Sequence, residues 1–343
     1  MEKKISVALA GFGASGRLFH APFISADPRF SLDLVWERSR KQAQDLYPNC
    51  RSVDSFEDLL KSDCDLIVIC TPNPLHFEQA KAALEAKKNV LIDKPFCESS
   101  KKARLLGKLA SERGLVLSAY QNRRYDSEIR TVKELLRDGV LGEVKDLILS
   151  MDRFQKKKNP KEWKNVPADS VGILWDLGIH QLDQAFYLFG KPLEIICSIR
   201  TLHEFNTVSD RMDALLKYPS GLTVTLRISQ CALEPGDALV CHGTKGTYVK
   251  HGHDIQESLL NSGVRPGDAE WRGEDPSLWG RLTTLEHRGA YPTLDGNYGL
   301  FYDELYKSFC GGKVPVGAED AAAVIEMAEA CVKSDEKKRT VSL

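Results

Sequence analysis

Short apolar runs alternate with helical stretches along the first third of the chain. Ile5–Ala10 reads as a strand and Gly11–Gly16 as a turn, with a helix starting at about Arg17. Leu32–Trp36 is a second strand, and Ser55 stands at a cap position ahead of a short helix through Leu60. Leu66–Cys70 is apolar without interruption, as in a strand buried on both faces. Asn73–Ala86 is helical, Asn89–Ile92 a strand, Ser99–Arg113 a helix with Gly114 at its C′ position, and Val116–Ala119 the last strand. This alternation predicts a parallel, doubly wound sheet.

After about residue 125 the rhythm changes. Ser127–Asp138 is helical up to Gly139, Val144–Met151 is a strand, and Ile173–Phe189 is a long helix ended by Gly190. Strands at Glu194–Leu202, Arg211–Tyr218, Leu222–Ser229 and Asp237–His242 then follow one another without helices. That order predicts a mostly antiparallel open sheet in a second α/β domain. Gly243–Gly246 reads as a tight turn, and residues 252–296 as a surface excursion rich in Gly, Pro and charge. Helices at Asn297–Phe309 and Ala318–Ser334 complete the pattern. The expected domains are 1–122 and 123–343, with the C-terminal helix free to pack back on the first.

Composition narrows the partners. The 343 residues carry 47 basic and 48 acidic side chains, a net charge of −1, which gives no electrostatic reason to expect nucleic acid or an anionic membrane. No apolar segment is long enough to span a bilayer. Nine cysteines are scattered singly, without a CxxC pair, which suggests reduced thiols in a cytoplasmic protein and no metal site. The expected ligand is a small molecule.

Candidate chemistry begins at Gly11-Phe12-Gly13-Ala14-Ser15-Gly16, a GxGxxG sequence between a predicted strand and a predicted helix. There Gly11 makes the turn, Gly13 lets the backbone approach a pyrophosphate, and Gly16 lets the helix pack on the strand. Free N–H groups and the helix dipole supply the anion site of a Rossmann-type dinucleotide domain. Glu37 ends the second strand at the position of a ribose-binding acid, which favours NAD. Arg38 and Ser39 follow it and would clamp the 2′-phosphate of NADP, so both coenzymes stay open. Thr71, Pro72, Asn73 and His76, past the end of another strand, complete the coenzyme set on that side. His20 and His76 lie just past such turns, and a structural role is the plainer reading of each.

Asp93-Lys94-Pro95 ends the fourth predicted strand, on the edge bordering the coenzyme crevice; Lys94 is either a nicotinamide-side residue or a surface lysine. On the long helix of the second half, Asp176, His180, Asp183 and Gln184 form one polar stripe. A stripe so narrow is read either as a solvated face or as an Asp–His pair lining a cleft, with His as base. Lys156-Lys157-Lys158 is most simply a solvated loop; the alternative closes it near the active-site mouth, with Trp163 packing there.

These motifs together resemble the Gfo/Idh/MocA oxidoreductases. They are GFGASG, Asp93-Lys94-Pro95 and Gly172 to Gln184, and the resemblance runs from residue 5 to the C-terminus. Gly16–Pro22, Gln121–Asp126, His242–Thr247 and Gly296–Tyr298 resemble the NADP-dependent scyllo-inositol dehydrogenase branch. The resemblance implies a dehydrogenase of sugar or polyol alcohols, with Lys94, Asp176 and His180 catalytic and Asn122 and Arg123 beside the nicotinamide. Asp93 departs from the family's Glu, which bears on the positioning of Lys94. It also implies a homodimer or homotetramer and leans towards NADP. Dihydrodiol- or biliverdin-type reductases, and a non-catalytic cofactor-sensing regulator, are the alternatives.

Overall fold

A computed structural model describes residues 4–37 and 41–343, which divide into two compact units. The first comprises Met1–Asn122, Gln256–Arg272 and Asn297–Ala322; the second comprises Arg123–Ile255, Gly273–Gly296 and Ala323–Leu343.

In the first unit the elements run β1 (Ile5–Ala10), α1 (Ala21–Ala26), β2 (Phe30–Trp36), α2 (Ala43–Leu46), β3 (Arg51–Val53), α3 (Phe56–Lys61), β4 (Leu66–Ile69), α4 (His76–Glu85), β5 (Asn89–Ile92), α5 (Ser100–Glu112) and β6 (Leu117–Ala119). The strands form one six-stranded sheet in the order β3-β2-β1-β4-β5-β6, every pairing parallel. The order reverses at β1/β4, the switch point where doubly wound folds bind ligands. All four residues of β4 are buried, as its unbroken apolar run requires of a strand with both faces covered. At α3, Ser55 Oγ accepts from Asp58 N while Asp58 accepts from Ser55 N, a reciprocal cap. The edge strand β3 is absent from the sequence reading, because Arg51-Ser52-Val53 is short and partly exposed and shows no apolar alternation.

The second unit begins with α6 (Ser127–Arg137), β7 (Val144–Asp152) and α7 (Ile179–Phe189), then β8 (Glu194–Arg200), β9 (Arg211–Lys217), β10 (Thr223–Ser229), β11 (Leu239–Gly243) and β12 (Gly246–Lys250). The chain re-enters the first unit with α8 (Gln256–Ser262), and β13 (Gly280–Thr284) and β14 (Arg288–Tyr291) belong to the second. α9 (Gly299–Phe309) lies in the first unit, and α10 (Ala318–Lys337) and β15 (Val341–Ser342) follow. The nine-stranded sheet runs β14-β13-β12-β11-β7-β10-β9-β8-β15, antiparallel except for β7/β10. Residues 252–296 are thus more than a surface excursion: β13 and β14 extend the sheet, although little besides Leu282 in them is apolar and buried.

Alternation sets the faces of this sheet. Ile195, Leu216, Val224, Leu226, Leu147, Leu149, Leu239, Cys241 and Tyr248 are buried on one side. On the other, Ile196, Leu215, Thr225, Ile148, Val240 and Val249 pair in one cross-strand row and stay partly or fully exposed. None of the nine cysteines forms a disulfide. Among the described residues no helix is long and apolar enough to cross a membrane.

Candidate functional site

The glycine-rich turn takes its shape from contacts that leave no room for side chains. Gly11 has φ +102°, a left-handed value that disfavours any Cβ, and Gly16 packs so close that a Cβ there would lie 2.4 Å from the Gly11 carbonyl oxygen. Gly13 faces open space, and a Cβ at that position would meet nothing within 4 Å. The turn therefore presents bare backbone on one side, which fits the approach of a dinucleotide pyrophosphate. The helix that follows includes a π-helical segment, Gly16–His20, before α1.

Around this turn the structure sorts the sequence candidates. Glu37 is 7% exposed. Its carboxylate accepts from Gln42 N (3.1 Å), Ala43 N (3.0 Å) and Ser52 Oγ (3.1 Å), which closes the loop into α2 and uses at least three of about four acceptor positions. Arg38 and Ser39 lie outside the described residues. Thr71 Oγ1 bonds Gln79, and Pro72 and Asn73 form the short turn that leads into α4. His76 is buried, and its two ring nitrogens lie 2.8 Å from the carbonyl oxygens of Pro95 and Thr71. It braces the segments that follow two strand ends.

Asp93 accepts from the Lys94 backbone N–H at 2.8 Å, and the Lys94–Pro95 bond is cis. Lys94 itself is half-buried, unlike a free surface lysine. Below this edge His20 is fully buried, 2.8 Å from the Tyr302 hydroxyl and packed on Tyr120. Burial pulls its pKa down to about 4, against the opposing attraction of Asp93, so the imidazole is neutral. Two residues near the turn escaped the sequence reading. Tyr47 sets its ring edge-on to Phe12 at 6.3 Å, and while burial raises the pKa of its hydroxyl, the nearby positive charge of Arg265 opposes that rise. No short-range motif marks Arg265, which reaches the first unit from more than two hundred residues downstream.

In the second unit the polar stripe is not a solvated face. His180 is 5% exposed, Asp183 and Gln184 are buried, and Asp176 is partly exposed. Asp176 sits in a π-helical turn, Leu174–Gly178, immediately before α7. Such turns recur at functional sites because the extra residue redirects side chains. Asp183 belongs to the scaffold: Arg124 grips it with two buried bonds of 2.8 and 2.7 Å. Gln184 donates to the Arg123 carbonyl, and Arg123 pairs with Asp126. Asn122 is buried at the start of the same short turn.

Asp176 carries a partner that the sequence did not disclose. Lys164 Nζ donates to Asp176 Oδ1 at 2.6 Å, with side chains 22% and 34% exposed. His203, Asp210 and Cys231 also cluster, but Asp210 accepts from Leu202 N, His203 N, His203 Nδ1 and Asn206 Nδ2. That saturated carboxylate is a loop brace.

Comparison with known proteins bears on the fold of both units. A family model for the oxidoreductase family, NAD-binding Rossmann fold, matches residues 5–121, and one for its C-terminal alpha/beta domain matches residues 133–343. The uncharacterized oxidoreductase YdgJ of Escherichia coli is 36% identical, with all of both chains covered. The scyllo-inositol 2-dehydrogenase (NADP(+)) IolW of Bacillus subtilis is 29% identical over 99% of this chain and 96% of its own. The solved structure of Bacillus subtilis yvaA superposes with a TM-score of 0.95 at 28% identity, covering 100% of this chain and 99% of that one.

Proposed function

We propose, from the premise that this chain belongs to the Gfo/Idh/MocA oxidoreductase family, that it is a dehydrogenase oxidising a secondary alcohol of a sugar or polyol, with NADP preferred over NAD. The observation that carries the reading is that His180 is buried in the first turn of α7 while Asp176 stands partly exposed in the π-helical turn just before it, an arrangement that a merely solvated stripe would not have. The names of relatives such as IolW and the Escherichia coli D-glucoside 3-dehydrogenase support the alcohol class.

Gly11, Phe12, Gly13, Ala14, Ser15 and Gly16 would hold the pyrophosphate through backbone N–H groups. Thr71, Pro72, Asn73, Asn122 and Arg123 would line the rest of the coenzyme. The engagement of Glu37 in its own loop supports NADP, since little acceptor capacity remains for a ribose 2′-hydroxyl. Arg38 and Ser39 would then take the 2′-phosphate. When bound, the nicotinamide supplies the two-electron acceptor.

The chain's own side chains manage the proton and the developing charge. His180 takes the proton of the reacting hydroxyl, a role suited to an imidazole near neutral pH. Lys94 would stabilise the alkoxide character that develops on the substrate. Asp176 accepts from a neighbouring substrate hydroxyl and fixes the alcohol against His180. Because an open, partly apolar sheet face runs through Ile196, Leu215 and Ile148, we also infer a symmetric homo-oligomer paired through it.

A panel of sugars and polyols assayed with NAD⁺ and NADP⁺ tests the reading. Turnover should be faster with NADP⁺, and His180→Ala should lower kcat by about 10²–10⁴ while NADPH binding, followed by its fluorescence, stays unchanged. Near-normal turnover in that variant would overturn the assignment of His180.

A further inference from the structure

The second unit holds a concentration of positive charge that the proposed chemistry does not use. Between residues 153 and 164 stand Arg153, Lys156, Lys157, Lys158, Lys161 and Lys164 against one carboxylate, Glu162, in a chain whose net charge is −1. Lys156, Lys157, Lys158 and Lys161 are exposed, but Lys164 is folded onto Asp176.

The turn that delivers Lys164 is tied down. The helical turn Glu162–Asn165 is held by Asn165 Nδ2 donating to Asn159 O at 2.8 Å and by Lys161 N donating to Asn159 Oδ1 at 3.0 Å. Thr207 Oγ1 donates to the Asn165 carbonyl. A lysine that only solvated a surface would need no such anchoring. Its ammonium has three donors, and Asp176 takes one of them.

We propose that Lys164 is a substrate-recognition residue that binds an anionic oxygen, so that the preferred substrate is a sugar or polyol bearing a carboxylate or a phosphate. Without substrate, Asp176 is the counter-ion of Lys164. An arriving anion replaces it on the ammonium, which releases Asp176 Oδ1 to accept from a substrate hydroxyl. Binding and alignment at the reacting carbon are thus coupled through one ion pair. The exposed lysines raise the local concentration of anions and carry no specificity of their own. This inference rests on the assignment of Asp176 to the substrate site.

Calorimetric titration of the full chain with D-glucuronate, D-glucose 6-phosphate and D-glucose, with and without NADPH, tests it. At least one anion should bind about tenfold or more tightly than glucose, the gain expected of a charged hydrogen bond, and should weaken as salt is added. The better of the two anions identifies carboxylate or phosphate as the recognised group. Lys164→Met should abolish the preference and Lys164→Arg should keep most of it, while Asp176→Asn, lacking the competing carboxylate, should bind the anion at least as tightly as the parent. Equal binding of glucose and both anions, or a preference that survives Lys164→Met, would overturn the proposal. Failure of NADPH to bind would instead count against the dehydrogenase reading, and the titration without coenzyme would still decide the role of Lys164.

Discussion

At the scale of single residues, His20 shows how burial converts an ordinary titratable group into a pH liability. Its folded pKa lies at about 4 against 6.5 for an exposed histidine. Across that window the unfolded chain binds a proton that the folded chain refuses. The contribution is intact above about pH 6.5 and falls away as pH drops towards 4, amounting to about 2 kcal/mol between about pH 7 and pH 5. Urea midpoints of the parent and of His20→Gln at the two pH values check this. The parent should lose more stability on acidification, and an equal loss in both would assign the acid sensitivity to other groups. Lys164 teaches a complementary lesson at the same scale. Its partner is a carboxylate twelve residues away in sequence, and no periodicity brings the two together.

At the scale of elements, local chemistry was legible wherever a short-range rule applied. Ser55 announced α3, the unbroken apolar run announced β4, and Gly190, with φ +75°, ends α7 as a left-handed residue should. What escaped were features set by tertiary context. The strand β3 forms because β2 offers it a parallel edge, and β13 and β14 form because β12 does. The two π-helical segments are also invisible in an apolar pattern, which registers only which face is buried. The glycine turn gives a sharp test at this scale. Gly13→Ala places its methyl in open space, so stability should change by less than about 0.5 kcal/mol while NADPH affinity drops at least about tenfold. Gly16→Ala must push on the Gly11 carbonyl and should cost about 1–3 kcal/mol in thermal or urea unfolding. If Gly13→Ala left coenzyme affinity intact, the pyrophosphate would lie elsewhere.

At the scale of the whole molecule, the two fold classes and the ordered motifs could be read from the chain. The path of the chain between the units could not, because Gln256–Arg272 and Asn297–Ala322 return to the first unit through long-range packing. In the proposed site, the assignment of Asp176 and His180 rests on a motif of fixed spacing, whereas Glu37 and His76 were read by position alone. Their hydrogen bonds to backbone groups depend on where loops close, which no spacing encodes. The proposed oligomer belongs to this scale as well. Ile196 is 42% exposed on the open sheet face, and Ile196→Glu should retain the far-ultraviolet circular dichroism yet shift the species in light scattering towards the monomer mass. A parent that is already monomeric would remove the basis for the inference.

The two borders of the nine-stranded sheet carry a different implication. One ends in β14, four residues that include the exposed Arg288, and the other in β15, only two residues long. Unpaired strand edges can template end-to-end growth between copies, and short or charged ones offer too little hydrogen-bonding length to do so. These short borders thereby disfavour open-ended stacking of the sheet from one copy to the next.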